Sequence, residues 1–170
     1  MSSTSLLLYV DSQYVSPYAL SAFVSLHEKA LPFDIQTIDL AANAQNEPGF
    51  ATKSLTRRVP TLIHDGFSLS ESSAIAEYID EVFPSTPLYP KEPQSRARAH
   101  QVQAWLRSDL APIKQERSTE VIFYGVKKPP LSLEAITQQL INYSQLLSYC
   151  FLATLKTYSV NGLLLMSIWH

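Results

Sequence analysis

Arg57-Arg58-Val59-Pro60-Thr61-Leu62-Ile63-His64-Asp65-Gly66-Phe67-Ser68-Leu69-Ser70-Glu71-Ser72-Ser73 is the stretch that decides the fold of this chain. Pro60 opens an apolar run over 61–64, Asp65-Gly66 supplies a tight turn, and 67–69 form a second short run, so the segment reads as a β-hairpin. Ser70-Glu71-Ser72-Ser73 then precedes a helical pattern over 71–83, with Ile75, Ala76, Tyr78, Ile79 and Val82 as its packed face. Backbone N–H groups in the first turn of a helix lack intrahelical partners. Serine and acidic residues there mark a cap, and the same end attracts an anion. A proline entering one strand and such a helix leaving the next point to a ligand corner whose other walls come from elsewhere in the chain.

Toward the N-terminus, residues 5–10 form an apolar run without helical spacing, as a buried strand does. Residues 11–15 read as a loop. Ser16-Pro17 is a strong helix start, and a helix is predicted over 17–29, with Leu20, Phe23, Val24 and His27 covering a sheet and Lys29 near the C-terminal dipole. After Pro32, residues 33–38 read as a second strand. Strand, helix and strand in this span imply a right-handed crossover between parallel strands. The polar, alanine-rich span 39–56, with Pro48-Gly49 inside it, is expected to be a loop with at most a short helix.

Beyond the hairpin and its helix, Pro84-Ser85-Thr86-Pro87-Leu88-Tyr89-Pro90 breaks the pattern and strand signals largely stop. The boundaries follow: an α/β domain over 1–84, a linker over 85–92, and a helical domain over 93–170. Ala97, Val102, Trp105, Leu106 and Leu110 give a long helix over 92–110, with Arg96, Arg98, Arg107 and Asp109 on its polar faces, and Pro112 ends or kinks it. Residues 118–126 fit no single pattern. Lys127-Lys128-Pro129-Pro130 is a loop, and Ser132 is the expected N-cap of a helix reaching residue 150.

Composition narrows the classes. A hydrophobic content of 46% over 170 residues supports a real core, and a formal charge of −2 gives no bulk attraction to nucleic acid or anionic membrane. A single cysteine, Cys150, cannot form an internal disulfide. No signal-peptide pattern precedes the first strand, and no apolar run approaches a membrane span. A cytoplasmic, soluble protein with neither nucleic-acid nor membrane partners is expected. His27, His64 and His100 show no metal spacing with cysteine or acids, so no metal is expected.

Val15-Ser16-Pro17-Tyr18, Arg57-Arg58-Val59-Pro60, Leu69-Ser70-Glu71-Ser72-Ser73-Ala74-Ile75-Ala76-Glu77-Tyr78-Ile79 and Arg96-Ala97-Arg98 with Gln103-Ala104-Trp105-Leu106-Arg107-Ser108-Asp109-Leu110 together resemble the glutathione S-transferase family. The likeness covers most of residues 5–150 and is greatest to the bacterial, serine-bearing, stress-associated type. It implies a thioredoxin-like N-terminal domain, a mixed four-stranded sheet with helices, followed by an all-α domain. It also implies a homodimer, with glutathione as cosubstrate for conjugation to a small electrophile or for reduction of a peroxide in detoxification and oxidative stress.

The resemblance makes Ser16 the thiol-activating residue. A thiol with an ordinary pKa near ~8.5 needs about 1.4 kcal/mol of preferential thiolate stabilisation per unit of lowering. A hydroxyl hydrogen bond and the positive end of the helix at Pro17 both supply it. A plain N-cap is the other reading of the same hydroxyl. By the same resemblance, Val59-Pro60 is a cis peptide pairing with the cysteinyl unit, against a trans proline on an edge strand. Glu71 and Ser72 hold the γ-glutamyl end, against a merely well-capped helix. Arg57 and Arg58 meet the glycine carboxylate, with Arg58 the aligned member, against a solvated basic turn. Arg107 and Asp109 are candidates for the interdomain cleft, whereas Trp105 reads as core. Cys150 reads as a packed or partly exposed thiol and not as a nucleophile.

The helical domain is shorter than the family's, and from about residue 151 the sequence has no clean helical period and no family likeness. Read one base out of frame, codons permitted for this tail encode Gly-Asn-Pro-Lys-Asn-Leu-Phe-Gly-Glu-Trp-Ser-Ile-Ala-Asp-Val-Asp-Leu-Ala, which resembles the family's next helix start with its Ser-x-x-Asp capping box. A frameshift just before Phe151, giving an incomplete helical domain with exposed apolar faces, is the expectation. Two alternatives to a catalytic glutathione transferase stay open: a non-catalytic binding or regulatory protein on the same fold, and an inactive truncated product.

Overall fold

The computed structural model describes residues 5–109 and 111–160. The chain order is β1 (Leu6–Asp11), α1 (Pro17–Glu28), β2 (Asp34–Ile38), a 3₁₀ turn at Ala44–Asn46, α2 (Pro48–Ala51), β3 (Thr61–His64), β4 (Phe67–Ser70), α3 (Ser72–Val82), α4 (Pro93–Ser108), α5 (Ala111–Glu116), α6 (Thr119–Tyr124) and α7 (Leu133–Val160). The sheet runs β2-β1-β3-β4. β1 and β2 are parallel with Leu7 opposite Asp34, and β3 is antiparallel to both β1 and β4, with Leu62 opposite Leu8 and Leu69. A thioredoxin-like mixed sheet followed by helices is thus the architecture, as expected from sequence.

Strand alternation assigns the two faces. Leu6, Leu8, Val10 and Leu62 pack against Ala19, Ala22 and Leu26 of α1 and Ile75 and Ile79 of α3. Tyr9, Ile38, Phe50 and Val59 form the opposite cluster, with the Tyr9 and Phe50 rings edge-on at 5.2 Å. Each large side chain buried this way contributes about 1.5–3 kcal/mol relative to exposure.

Two predicted faces need correction. In α1 it is Ala19, Ala22 and Leu26 that are buried, with Phe23 beside them, whereas Leu20 and Val24 are exposed. At about 100° per residue the true stripe lies roughly one residue's turn from the predicted one. Two alanines at the contact allow the helix to lie against both the sheet and α3, which larger side chains would prevent. In α3, Val82, in the last turn, is 43% exposed, and the following Phe83 packs against the core instead.

A buried charge cluster ties the α/β domain to its neighbour. Lys29 ends α1, and its Nζ lies 2.8 Å from Asp80 Oδ1 of α3 while donating to the Phe83 carbonyl at 2.8 Å. The same Asp80 oxygen accepts the Leu88 N–H of the linker at 2.8 Å, and Arg96 of α4 approaches Oδ2 at 3.7 Å. Burial pushes the Asp80 carboxyl up, but the Lys29 hydrogen bond, the Leu88 N–H and the Lys29 charge outweigh it, so its pKa lies below the ordinary carboxylate value. Lys29 is therefore a buried staple rather than only a dipole partner.

In the helical half, Glu92 caps α4 through the Gln94 and Ser95 N–H groups, and Ser132 caps α7 through Ala135 N–H at 3.1 Å. Buried Asn142 donates to the Asp109 carbonyl at 2.7 Å, joining α7 to the end of α4. The backbone of α7 continues to Val160, ten residues past the expected end of that helix; residues 161–170 of the tail and the side chain of Cys150 lie outside the described residues. No residue of α4 is buried, and Leu133, Leu140 and Leu147, two turns apart on one face of α7, are 81%, 65% and 68% exposed. Among the described residues no helix is long and apolar enough to cross a membrane, and no group of three His, Cys, Asp or Glu gathers to hold a metal.

Candidate active site

The β1–α1 loop is held by Asp11. Its buried carboxylate accepts the Val15 N–H at 2.8 Å and the Ser16 N–H at 3.1 Å, fixing the chain just before α1. Ser16 is the N-cap, with Oγ accepting the Ala19 N–H at 3.2 Å and Pro17 in the first helical turn. A hydroxyl has two acceptor sites and one donor, so capping leaves the Ser16 proton free to be given to another group. The two readings of Ser16 are therefore compatible.

The hairpin supplies the second wall. The Val59-Pro60 peptide is cis, as the resemblance implies, and both residues are buried. Behind it, three buried hydroxyls interlock: Thr61 Oγ1 lies 2.9 Å from both Ser54 Oγ and the Arg58 carbonyl oxygen, with one proton to give between them, and Ser54 Oγ lies 3.0 Å from Ser70 Oγ. This network joins the residues entering β3 to those leaving β4.

Glu71 occupies the N-cap position of α3 with φ 74°, a region that side-chain-bearing residues seldom adopt and that costs about 1–3 kcal/mol. No side chain caps the helix there. The well-capped-helix reading of 70–73 is therefore not what the geometry supports: Ser70 turns into the buried hydroxyl network, and Glu71 and Ser72 face the space between the domains.

A cleft of about 260 Å³ opens there, lined by Tyr18, Thr56, Arg58, Val59, Pro60, Glu71, Ser72 and Arg107. It gathers five of the seven sequence-predicted site residues. Arg57, exposed with φ 51°, is not among the lining residues, which separates it from Arg58. Ser16 borders a separate depression of about 190 Å³ with Asp11, Tyr14 and Leu20, and Tyr18, two residues on, reaches the main cleft. Of the α4 candidates, Arg107 enters the cleft, whereas the Asp109 carboxylate is engaged by Ser108 Oγ at 2.6 Å and Trp105 is half-buried outside the lining.

Arg107 donates to Ser73 Oγ at 3.0 Å and to Ser72 Oγ, and its Nη1 lies 3.8 Å from Glu71 Oε2. Its guanidinium carbon stands 5.4 Å from the Tyr18 ring centre, as does Lys114 Nζ. The sequence reading assigned no role to Asp11 or Tyr18. An aspartate ending a strand a few residues before a Ser-Pro helix start is the local signal for the first. Tyr18 follows Pro17 directly, but only the approach of α4 and α5 sets Arg107 and Lys114 against its ring.

A thioredoxin-like sheet with a cis-proline junction, a charged serine corner and an adjoining helical domain defines the class. The family model for the glutathione S-transferase N-terminal domain matches residues 15–82, and that for the C-terminal domain matches residues 92–149. The chain belongs to the glutathione S-transferase family. It is 30% identical over 150 residues to glutathione S-transferase theta-3 of Mus musculus, covering 85% of this chain and 61% of that one, and 32% identical over 91 residues to glutathione S-transferase 1 of Dianthus caryophyllus, covering 54% and 41%. The chain thus spans between about two fifths and three fifths of these relatives' lengths. Among solved structures, a glutathione transferase homologue from Burkholderia with bound glutathione is 54% identical with a TM-score of 0.59, over 65% of this chain and 60% of that one. A diazinon-metabolizing glutathione S-transferase from Bombyx mori is 28% identical with a TM-score of 0.71, over 88% and 68%.

Proposed function

We propose that this chain binds glutathione in the cleft between its domains and activates its thiol toward a small electrophile or a peroxide. The observation that carries this reading is the convergence of Arg58, the cis Val59-Pro60 junction, Glu71 and Ser72 on one cleft. The bound glutathione of the 54%-identical Burkholderia homologue supports it.

The donor set fits the tripeptide end by end. Arg58 offers a planar fork to the glycine carboxylate. The backbone of Val59, at the cleft wall just before β3, pairs with the cysteinyl unit. Glu71 takes the ammonium of the γ-glutamyl group, and Ser72 with the free N–H groups at the start of α3 takes its carboxylate. When bound, glutathione supplies a nucleophilic sulfur. Ser16 keeps its capping bond to Ala19 and turns its remaining proton toward that sulfur, and the positive end of α1 lies behind it. A hydrogen bond to a charged acceptor is worth about 1.5–3 kcal/mol, or roughly one to two units of thiol pKa.

A homodimer in the cytoplasm completes the reading. The family resemblance supports the homodimer, and sedimentation as a stable monomer would contradict it.

Turnover of a chloronitrobenzene with glutathione tests the assignment. Ser16→Ala should lower kcat about tenfold to a hundredfold, in line with the loss of one charge-assisted hydrogen bond. Arg58→Ala should chiefly raise the KM for glutathione. Equal kcat for wild type and Ser16→Ala removes Ser16 from the chemistry.

A further inference from the structure

Among the described residues that line the cleft, Arg107 is the one contributed by the helical domain, and its contacts are unusual for a wall residue. It lies in the last turn of α4, yet its guanidinium reaches Ser72, Ser73 and Glu71 at the start of α3 and lies against Tyr18 in the first turn of α1. We propose that Arg107 is a positioning residue that sets the Ser72 hydroxyl for a carboxylate and so makes the helical domain part of the recognition of a zwitterionic α-amino-acid group. The inference rests on the glutathione reading above, whose γ-glutamyl end carries such a group.

The chemistry of the donors gives the direction. Guanidinium has five N–H donors and no acceptor, so Ser72 and Ser73 must both accept from Arg107. Each serine then has its own proton left over. Ser72 borders the cleft with 2% of its surface exposed, so the proton it keeps meets a ligand only at that narrow edge, held there by the Arg107 bond. Without Arg107 the hydroxyl is free to rotate, and nothing in the corner prevents it from presenting a lone pair to an incoming carboxylate.

Charge gives the class of ligand. Glu71 alone would make the corner select a cation, and Arg107 alone an anion. With Nη1 of Arg107 3.8 Å from Glu71 Oε2, this pair is neutral overall but split in sign. That pattern complements an ammonium and a carboxylate on one carbon and gives less to either group alone. The contact with Tyr18, two residues after Ser16, ties the same arginine to the helix that carries the reactive hydroxyl.

The test compares wild type, Arg107→Ala, Arg107→Lys and Ser72→Ala by calorimetric titration of the full chain with glutathione and with 4-aminobutyryl-cysteinyl-glycine, which lacks the α-carboxylate. Arg107→Ala should weaken glutathione about tenfold or more, near the loss of one charge-assisted hydrogen bond, and change binding of the decarboxylated peptide less than twofold. Arg107→Lys should restore less than half of the loss on a logarithmic scale, since an ammonium cannot fork to two hydroxyls in a fixed plane. Arg107→Ala on a Ser72→Ala background should cost little more. Equal weakening of both peptides by Arg107→Ala, or full additivity with Ser72→Ala, overturns the proposal and leaves Arg107 as an interdomain contact. Should Arg107→Ala fail to fold, Arg107→Lys and Arg107→Gln carry the same two-peptide comparison. Failure of wild type to bind glutathione at all overturns the glutathione reading, and this inference with it.

Discussion

Asp80→Asn should destabilise this protein by about 3 kcal/mol at neutral pH. Removing one partner of a buried ion pair typically costs about 3–5 kcal/mol because the other charge stays buried without compensation. Lys29 is well buried, with 1% of its side chain exposed, but it keeps the Phe83 carbonyl at 2.8 Å, which favours the lower end of that range. Asparagine preserves an acceptor for the Leu88 N–H, so the linker contact is not the main loss. For a chain of this length, about 3 kcal/mol corresponds to roughly 6–12 °C in Tm. The pH dependence has a definite sign. A carboxyl held below its ordinary value of 3.8 adds stability at pH above that value, and the contribution is lost as pH falls through the folded-state pKa. The gap between wild type and Asp80→Asn should therefore be full from about pH 5 to 8 and shrink below about pH 4. Urea unfolding at a series of pH values measures it. Adding Lys29→Met removes the orphaned ammonium and should recover about 1–3 kcal/mol. A neutral-pH gap under about 0.5 kcal/mol, the size of an ordinary surface substitution, or a gap that persists unchanged to pH 2.5, would refute the reasoning.

Asp11→Ala orphans the Val15 and Ser16 N–H groups and should cost about 2 kcal/mol in urea unfolding, with a loss of kcat approaching that of Ser16→Ala because the cap is no longer held. Thr61→Val keeps shape but deletes the donor to Ser54 and the Arg58 carbonyl; it should cost about 1–3 kcal/mol and raise the KM for glutathione with little change in kcat. The one-base shift read before Phe151 is checked on the coding DNA, where a single insertion or deletion near codon 150 should restore the Gly-Asn-Pro-Lys-Asn-Leu-Phe frame; an intact frame throughout ends that explanation of the tail. The exposed Leu133, Leu140 and Leu147 should make this chain bind a hydrophobic dye in its native state, and a chain translated in the restored frame should bind less.

Much of the α/β domain was legible because its signals are local. Proline, Asp-Gly and Ser-Pro fix turns and helix starts within a few residues, and the resulting strands and helices agree with the structure to a residue or two. The helix faces were less legible. In α1, choosing the larger apolar residues over Ala19 and Ala22 picked the wrong stripe, since which side of a weakly amphipathic helix is buried depends on how closely its neighbours approach. The charge cluster of Lys29, Asp80 and Arg96 draws on residues far apart in the chain, and no spacing rule connects them. The site divides in the same way. Arg58, Glu71 and Ser72 come from one stretch and could be named together, whereas Arg107 becomes a neighbour of Ser72 only when α4 docks.

That division bears on what an incomplete helical domain would do to the site. Every residue assigned to glutathione in the hairpin and α3 belongs to an α/β domain with its own core, so those residues can be well placed whatever follows residue 150. Arg107 is different. Its position depends on α4, which has no buried residue of its own and is held to α3 by Arg96 on Asp80, by His100 beside Glu77 and by the bonds of Arg107 itself, and to α7 by Asn142 on the Asp109 carbonyl. Loss of packing along α7 would release the Asn142 tether, the one nearest Arg107 in sequence, while leaving the Arg96 and His100 contacts in place. The physical expectation is graded: the Arg58 and cis-proline contacts persist, and the Ser72 corner loosens first. The glycine end of the tripeptide would then be held more firmly than its γ-glutamyl end, which is the reverse of what disruption of the hairpin would produce.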